Sequence, residues 1–91
     1  MSLGAKINIS IARVKKAREF YKMNQPWSRN LAWKILEEVA MESPGCYTHK
    51  HKLQIAAAVE EGDMYTAFSI LGDCAKMAIA DMKIAKKERY Q

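Results

Sequence analysis

A glycine–aspartate pair, Gly62-Asp63, separates two apolar runs of helical periodicity and constrains the fold more than any other feature of the chain. Leu53 to Glu61 reads as one helix, and Met64 to about Lys87 as a longer one. Glycine adopts the left-handed backbone conformation that ends a helix without a Cβ penalty. Aspartate caps the following helix by accepting a bond from an orphan backbone N–H. Helix, Gly, Asp, helix is the grammar of a tight αα-hairpin. The pair therefore specifies an architecture and says little about chemistry.

The remaining chain extends that architecture. Only four glycines and two prolines interrupt its 91 residues, and the abundant residues are mostly good helix formers. The expectation is one all-α domain over residues 1–91, a small bundle of about four helices whose C-terminal αα-hairpin is built from helix 3 and a long helix 4. Residues 5–11 are ambiguous, because Ala5, Ile7, Ile9 and Ile11 alternate with polar residues at a strand period. Ile7, Ile11, Val14, Ala17 and Tyr21 also fall at helical spacing. A lone strand would have no partner, so helix 1 is predicted from about residue 6 or 10 to about 23, capped by Asn8 or Ser10. Asn24-Gln25-Pro26 breaks it, and Pro26 suits the first turn of helix 2. That helix is predicted to run to Glu42, with Trp27, Leu31, Ile35 and Val39 as its apolar stripe, widened by Ala32, Leu36 and Ala40. Thr48 is the expected cap of helix 3, and Ala56-Ala57-Ala58 suggests close approach to a neighbour.

Helix 4 carries Met64, Phe68, Leu71, Ala75, Ala78, Met82 and Ala85 in an unbroken 4-3 rhythm, with Ile70, Cys74, Met77 and Ile84 beside it. A helix apolar over so much of its circumference is central in its bundle or shared with another subunit. In so short a chain the expectation is sharing, which makes Phe68, Leu71, Ala75, Ala78 and Met82 the candidate self-association residues. The basic end of this helix is expected to fray from about residue 86.

Charge is distributed unevenly. Residues 1–24 carry six basic groups against Glu19 alone, and residues 83–91 carry Lys83, Lys86, Lys87 and Arg89 against Glu88. The stretch between is net acidic, so the overall +5 understates how positive a surface becomes if the two ends lie together. Arg13, Lys15, Lys16, Arg18 and Lys22 on helix 1, with the four cations of the C-terminus, are the candidate contacts for phosphates or for an acidic partner. Lys15, Arg18 and Lys22 form the i, i+3, i+7 stripe.

Other motifs carry less. Gln54, Ala58, Gly62, Phe68 and Leu71 occupy the Q-x3-A-x3-G spacing and later apolar positions of the DNA-binding helix-turn-helix, which the segment resembles from Gln54 to Leu71. It departs from that pattern at Glu61 and Asp63, where apolar residues are usual, and Asp63 to Asp73 has no Lys or Arg to dock on phosphates. The A-x3-E-x-G-D turn also resembles one tetratricopeptide unit, which implies shared hairpin geometry only, since a solenoid needs several units. Cys46, His49, His51 and Cys74 have zinc-binding atoms, but C-x2-H-x-H is not a standard pairing. The expectation is no metal, no cofactor, no catalytic residue and no small-molecule substrate; there is no phosphate loop, nucleophile elbow or H-E-x-x-H. No apolar run reaches membrane-spanning length, and no secretion signal is evident, so cytoplasmic residence with reduced thiols is expected. Met1-Ser2-Leu3 leaves open whether it is an added leader. The functional expectation is a small non-enzymatic regulatory or adaptor protein that acts as a homodimer or binds another protein. The alternative is an accessory nucleic-acid-binding protein making sequence-independent phosphate contacts.

Overall fold

The computed structural model describes residues 2–89, apart from the side chain of Arg89. Four helices make up the fold: α1 (Leu3–Lys22), α2 (Pro26–Ala40), α3 (His49–Glu60) and α4 (Met64–Arg89), with one 3₁₀ turn at Pro44–Cys46. The all-α bundle with its α3–α4 hairpin is the expected fold class.

The hairpin is built as its two central residues dictate. Gly62 has φ +77°, and its N–H donates to the Val59 carbonyl at 3.0 Å while the Asp63 N–H donates to the Ala58 carbonyl at 2.9 Å. This pair of bonds is a Schellman motif, which satisfies carbonyls that the end of α3 leaves without helical partners. The Asp63 carboxylate then accepts from the Thr66 N–H at 3.1 Å and from the Thr66 hydroxyl at 2.6 Å, capping α4. These bonds to Thr66 hold the Asp63 carboxyl below the usual carboxylate range.

α1 begins earlier than the sequence suggested. Ser2 caps it, accepting from the Ala5 N–H at 3.1 Å, and the proposed caps Asn8 and Ser10 lie within the helix. Ile7, Val14 and Ala17 turn inward at helical spacing, and Ile9 is left exposed, so the alternation over residues 5–11 does not make a strand. Asn24, at φ +58°, takes the left-handed position after α1, a role open to asparagine because its short polar side chain tolerates that region. α2 starts at Pro26, with the Ser28 hydroxyl accepting from the Gln25 N–H at 3.1 Å and donating to the Gln25 carbonyl at 3.0 Å.

α4 is the central helix, packed by α1, α2 and α3. This corrects the expectation that its apolar stripe is shared with another subunit. Leu71, Ala75, Ala78 and Met82 are buried within this chain and Phe68 is half-buried, so the candidate self-association residues form its own core. α2 presents a face rotated by one residue from the predicted stripe: Ser28, Ala32, Leu36, Val39 and Ala40 are buried, whereas Trp27 is 56% exposed and Leu31 lies outside. The reason is size. Small residues at a helix contact let backbones approach, and Ala17, Ala32, Ala40, Ala67, Ala75 and Ala78 are all fully buried. The alanine run of α3 does not play this part. Only Ala58 of the three is buried, because α3 packs mainly on α4 at the edge of the bundle. α4 runs as helix through Arg89, and the last two residues lie outside the described range.

The Cα extents of 46 × 28 × 15 Å make the molecule a flattened bundle about two packed helices thick. A bundle this thin leaves much of each helix at the surface, where the functional features lie.

Candidate functional site

Several carboxylates are engaged in holding the fold together. Lys6 pairs with Glu42 at 2.6 Å and Arg13 pairs with Glu38, tying α1 to α2. The Ser43 hydroxyl donates to Asp81 at 2.5 Å and accepts from the Cys46 thiol at 3.6 Å, which pins the 3₁₀ turn to α4. The Tyr47 hydroxyl donates to Glu37 at 3.1 Å, and Lys52 stands over the Tyr47 ring at 5.1 Å. Burial, followed by the bond to Glu37 and its charge, pushes the Tyr47 hydroxyl up to about 12.

The seam between α1 and α4 carries the candidate site. α1 and α4 run antiparallel, with the start of α1 beside the end of α4: Lys86 Nζ lies 2.9 Å from where a Cβ on Gly4 would stand, and Tyr21 stacks on Phe68 at 4.3 Å. The two basic ends of the chain therefore do meet. Along the seam, hollows bring Lys15 and Arg18 of α1 together with Lys76, Lys83, Lys86 and Lys87 of α4. Asp73 is the one carboxylate among the residues lining them, and Ile11, Val14 and Ile79 supply an apolar floor. None of the six cations forms a salt bridge among the described residues. α1 also has no acidic residue in its first turn, so the positive end of its dipole adds to the field of Lys86 and Lys87.

The seam selects among the residues singled out from the sequence. Lys15, Arg18, Lys83, Lys86 and Lys87 are brought together there. Arg13 points instead to α2 and its partner Glu38. Lys16 lies 3.5 Å from Glu19 and 5.5 Å above the Phe20 ring, and Lys22 is exposed in the last turn of α1, away from the seam hollows. Arg89 ends α4, but its side chain is outside the described residues. Lys76 was not among the candidates. Its signal was a period: Lys76, Lys83 and Lys87 stand at i, i+7 and i+11, one face of one helix. The net-acidic average of the surrounding segment hid it.

The residues considered for zinc have other environments. His51 Nδ1 accepts from the Thr48 N–H at 3.0 Å, completing the start of α3 that Thr48 was expected to cap. Cys74 is buried, and burial, then the charge of Asp73 and the neighbouring Cys46, raises its thiol, which keeps it protonated. Among the described residues no three His, Cys, Asp or Glu side chains come together as a metal site. No helix among them is long and apolar enough to cross a membrane.

What the seam can do follows from its charge. Two rows of cations on rigid, closely packed helices present a fixed array to a chain of regularly spaced anions, and their apolar floor lowers screening between them. Compared with known proteins, the chain matches no family model, no curated protein and no solved structure.

Proposed function

We propose that this protein is a non-enzymatic binding module for a polyanion, and that the α1–α4 seam docks the phosphate backbone of a nucleic acid without reading its sequence. The observation that carries this is the convergence of Lys15, Arg18, Lys76, Lys83, Lys86 and Lys87 on one seam with a single carboxylate among the lining residues. On the other flank of α1, Lys6 and Arg13 are instead paired with Glu42 and Glu38.

The test is fluorescence anisotropy of a labelled oligonucleotide against salt, with two triple variants that lower the net charge equally. Arg18→Gln with Lys76→Gln and Lys83→Gln strips the seam; Arg29→Gln with Lys34→Gln and Lys50→Gln strips other exposed surfaces. Binding should weaken with salt with a log–log slope of about −0.9 per phosphate neutralised on duplex or about −0.7 on single strands. The seam variant should flatten that slope and the control should retain it. Equal losses in both would reduce the effect to net charge, and absence of binding at low salt would remove the reading.

A second reading, a regulatory or adaptor protein acting as a homodimer or on another protein, is supported by a different feature. Pro26, Trp33, Val59, Met64 and Phe68 line an apolar groove of about 620 Å³ between α2 and the α3–α4 turn. Light scattering at micromolar concentration tests the dimer, and Met64→Glu should return it to a monomer if this groove is the contact.

A further inference from the structure

We infer that the phosphate track ends in a pocket for one unstacked base, so that the ligand is a single strand of nucleic acid. This rests on reading the seam as a phosphate track and adds to it an aromatic platform. Tyr65 is 75% exposed, the most exposed of the large apolar residues, and it stands at the Arg18–Lys76 end of the seam. Beside it is a hollow of about 190 Å³ with the stacked rings of Tyr21 and Phe68 in one wall. Gly72 lines this hollow without a side chain, and nothing lies within 4 Å of where its Cβ would stand.

The placement on α4 is regular. Tyr65, Ser69, Gly72, Lys76, Lys83 and Lys87 follow i, i+4, i+7, i+11, i+18 and i+22, one face of the helix, over about 33 Å at 1.5 Å per residue. An aromatic platform followed by a line of cations is the arrangement that single-strand binding requires, because every base has a π-face and every linkage a charge. In a duplex the bases are stacked on each other and unavailable to Tyr65. Within the hollow, Ser69 and Asp73 offer a hydroxyl and an acceptor to a base edge. A carboxylate there accepts from the exocyclic amino group that cytosine, adenine and guanine each carry, so the contact adds affinity without selecting one base. This gives Asp73, the seam's one carboxylate, a use that a phosphate track alone does not.

The experiment is an anisotropy titration of labelled oligodeoxycytidylate and of a duplex of equal length. The variants are Tyr65→Ala, Tyr65→Phe and Gly72→Gln, each with its melting temperature measured. Tyr65→Ala should weaken single-strand binding by about 5- to 150-fold, the value of one base–aromatic stack, and leave duplex binding unchanged. Tyr65→Phe should retain the wild-type affinity, and Gly72→Gln, which fills the hollow from an open position, should weaken the single strand as Tyr65→Ala does. Duplex bound as tightly as the single strand, or single-strand binding indifferent to Tyr65→Ala, would overturn this inference. The seam reading would survive that result as long as Arg18→Gln and Lys76→Gln still weakened binding; if nothing binds at low salt, both fall.

Discussion

Two glycines of this chain should respond to the same substitution with opposite signs. Gly62 and Gly72 both have open space where a Cβ would stand, so no steric clash separates them. Backbone conformation does: Gly62 has φ +77° and Gly72 lies inside α4. At Gly62 an alanine bears the left-handed penalty of about 1–2 kcal/mol, partly offset by a gain of about 0.4–1 kcal/mol from a less flexible unfolded chain. The net loss is about 1 kcal/mol. Gly62→Val should lose more, since a β-branched residue is poorly tolerated at positive φ. Gly62→Asn should lose least, because asparagine enters this region readily, as Asn24 does. At Gly72 the alanine adds helix propensity and removes unfolded-state entropy, a gain of about 0.5–1 kcal/mol. A domain of this size shifts by about 4–8 °C per kcal/mol, so the two alanine variants should melt on either side of the wild type, separated by several degrees. Thermal unfolding followed by circular dichroism measures this directly. Equal shifts of the same sign would refute the argument, because the two positions would then not differ in backbone conformation.

Other perturbations read the core and its ties. Leu71→Ala should destabilise the fold by about 2–5 kcal/mol in chemical denaturation, since Leu71 is fully buried in the monomer. Met82→Glu should lower the melting temperature without changing the molecular mass by light scattering, because Met82 is buried by this chain's own helices. In an ultraviolet pH titration, Tyr47→Phe should remove a component that ionises above the ordinary tyrosine range. The Tyr47 hydroxyl is raised from 10.0 to about 12, so the native state favours the protonated form. That contribution is fully present below pH 10 and is lost as pH rises toward 12; Tyr47→Phe should therefore lose less stability over this window than the wild type.

The parts of this fold that rest on local chemistry were legible in the sequence. Gly62 and Asp63 act on backbone groups within a few residues, so the Schellman bonds and the cap of α4 follow from residue type and spacing. Thr48 and Pro26 marked helix starts for the same reason. The misreadings concern which face turns inward. α2 offers two overlapping stripes, and the one containing Ser28 and Ala32 is buried because small residues permit close approach, whereas hydrophobicity alone favours Trp27 and Leu31. The apolar stripe of α4 was visible, but whether it is covered by α1, α2 and α3 or by a second subunit depends on contacts between segments far apart in sequence. The candidate site divides in the same way. The cations of α1 and of the C-terminus stood out as clusters, and their junction with Lys76 and Tyr65 required the antiparallel packing of α1 on α4. Arg13 and Lys16 show the converse, because proximity in sequence to Lys15 and Arg18 did not place them on the same surface.

The central claim is that the ligand lies along the α1–α4 seam, and amide chemical-shift mapping by NMR tests it most directly. Titration of labelled protein with an oligonucleotide at low salt should move the amides of Ile11 to Arg18 and of Gly72 to Lys87, residues that face each other across the seam. The amides of α3 and of Arg29 to Lys34 should stay in place. Shifts confined to α3 or to the exposed face of α2 around Trp27 and Leu31, with the seam unmoved, would contradict the claim.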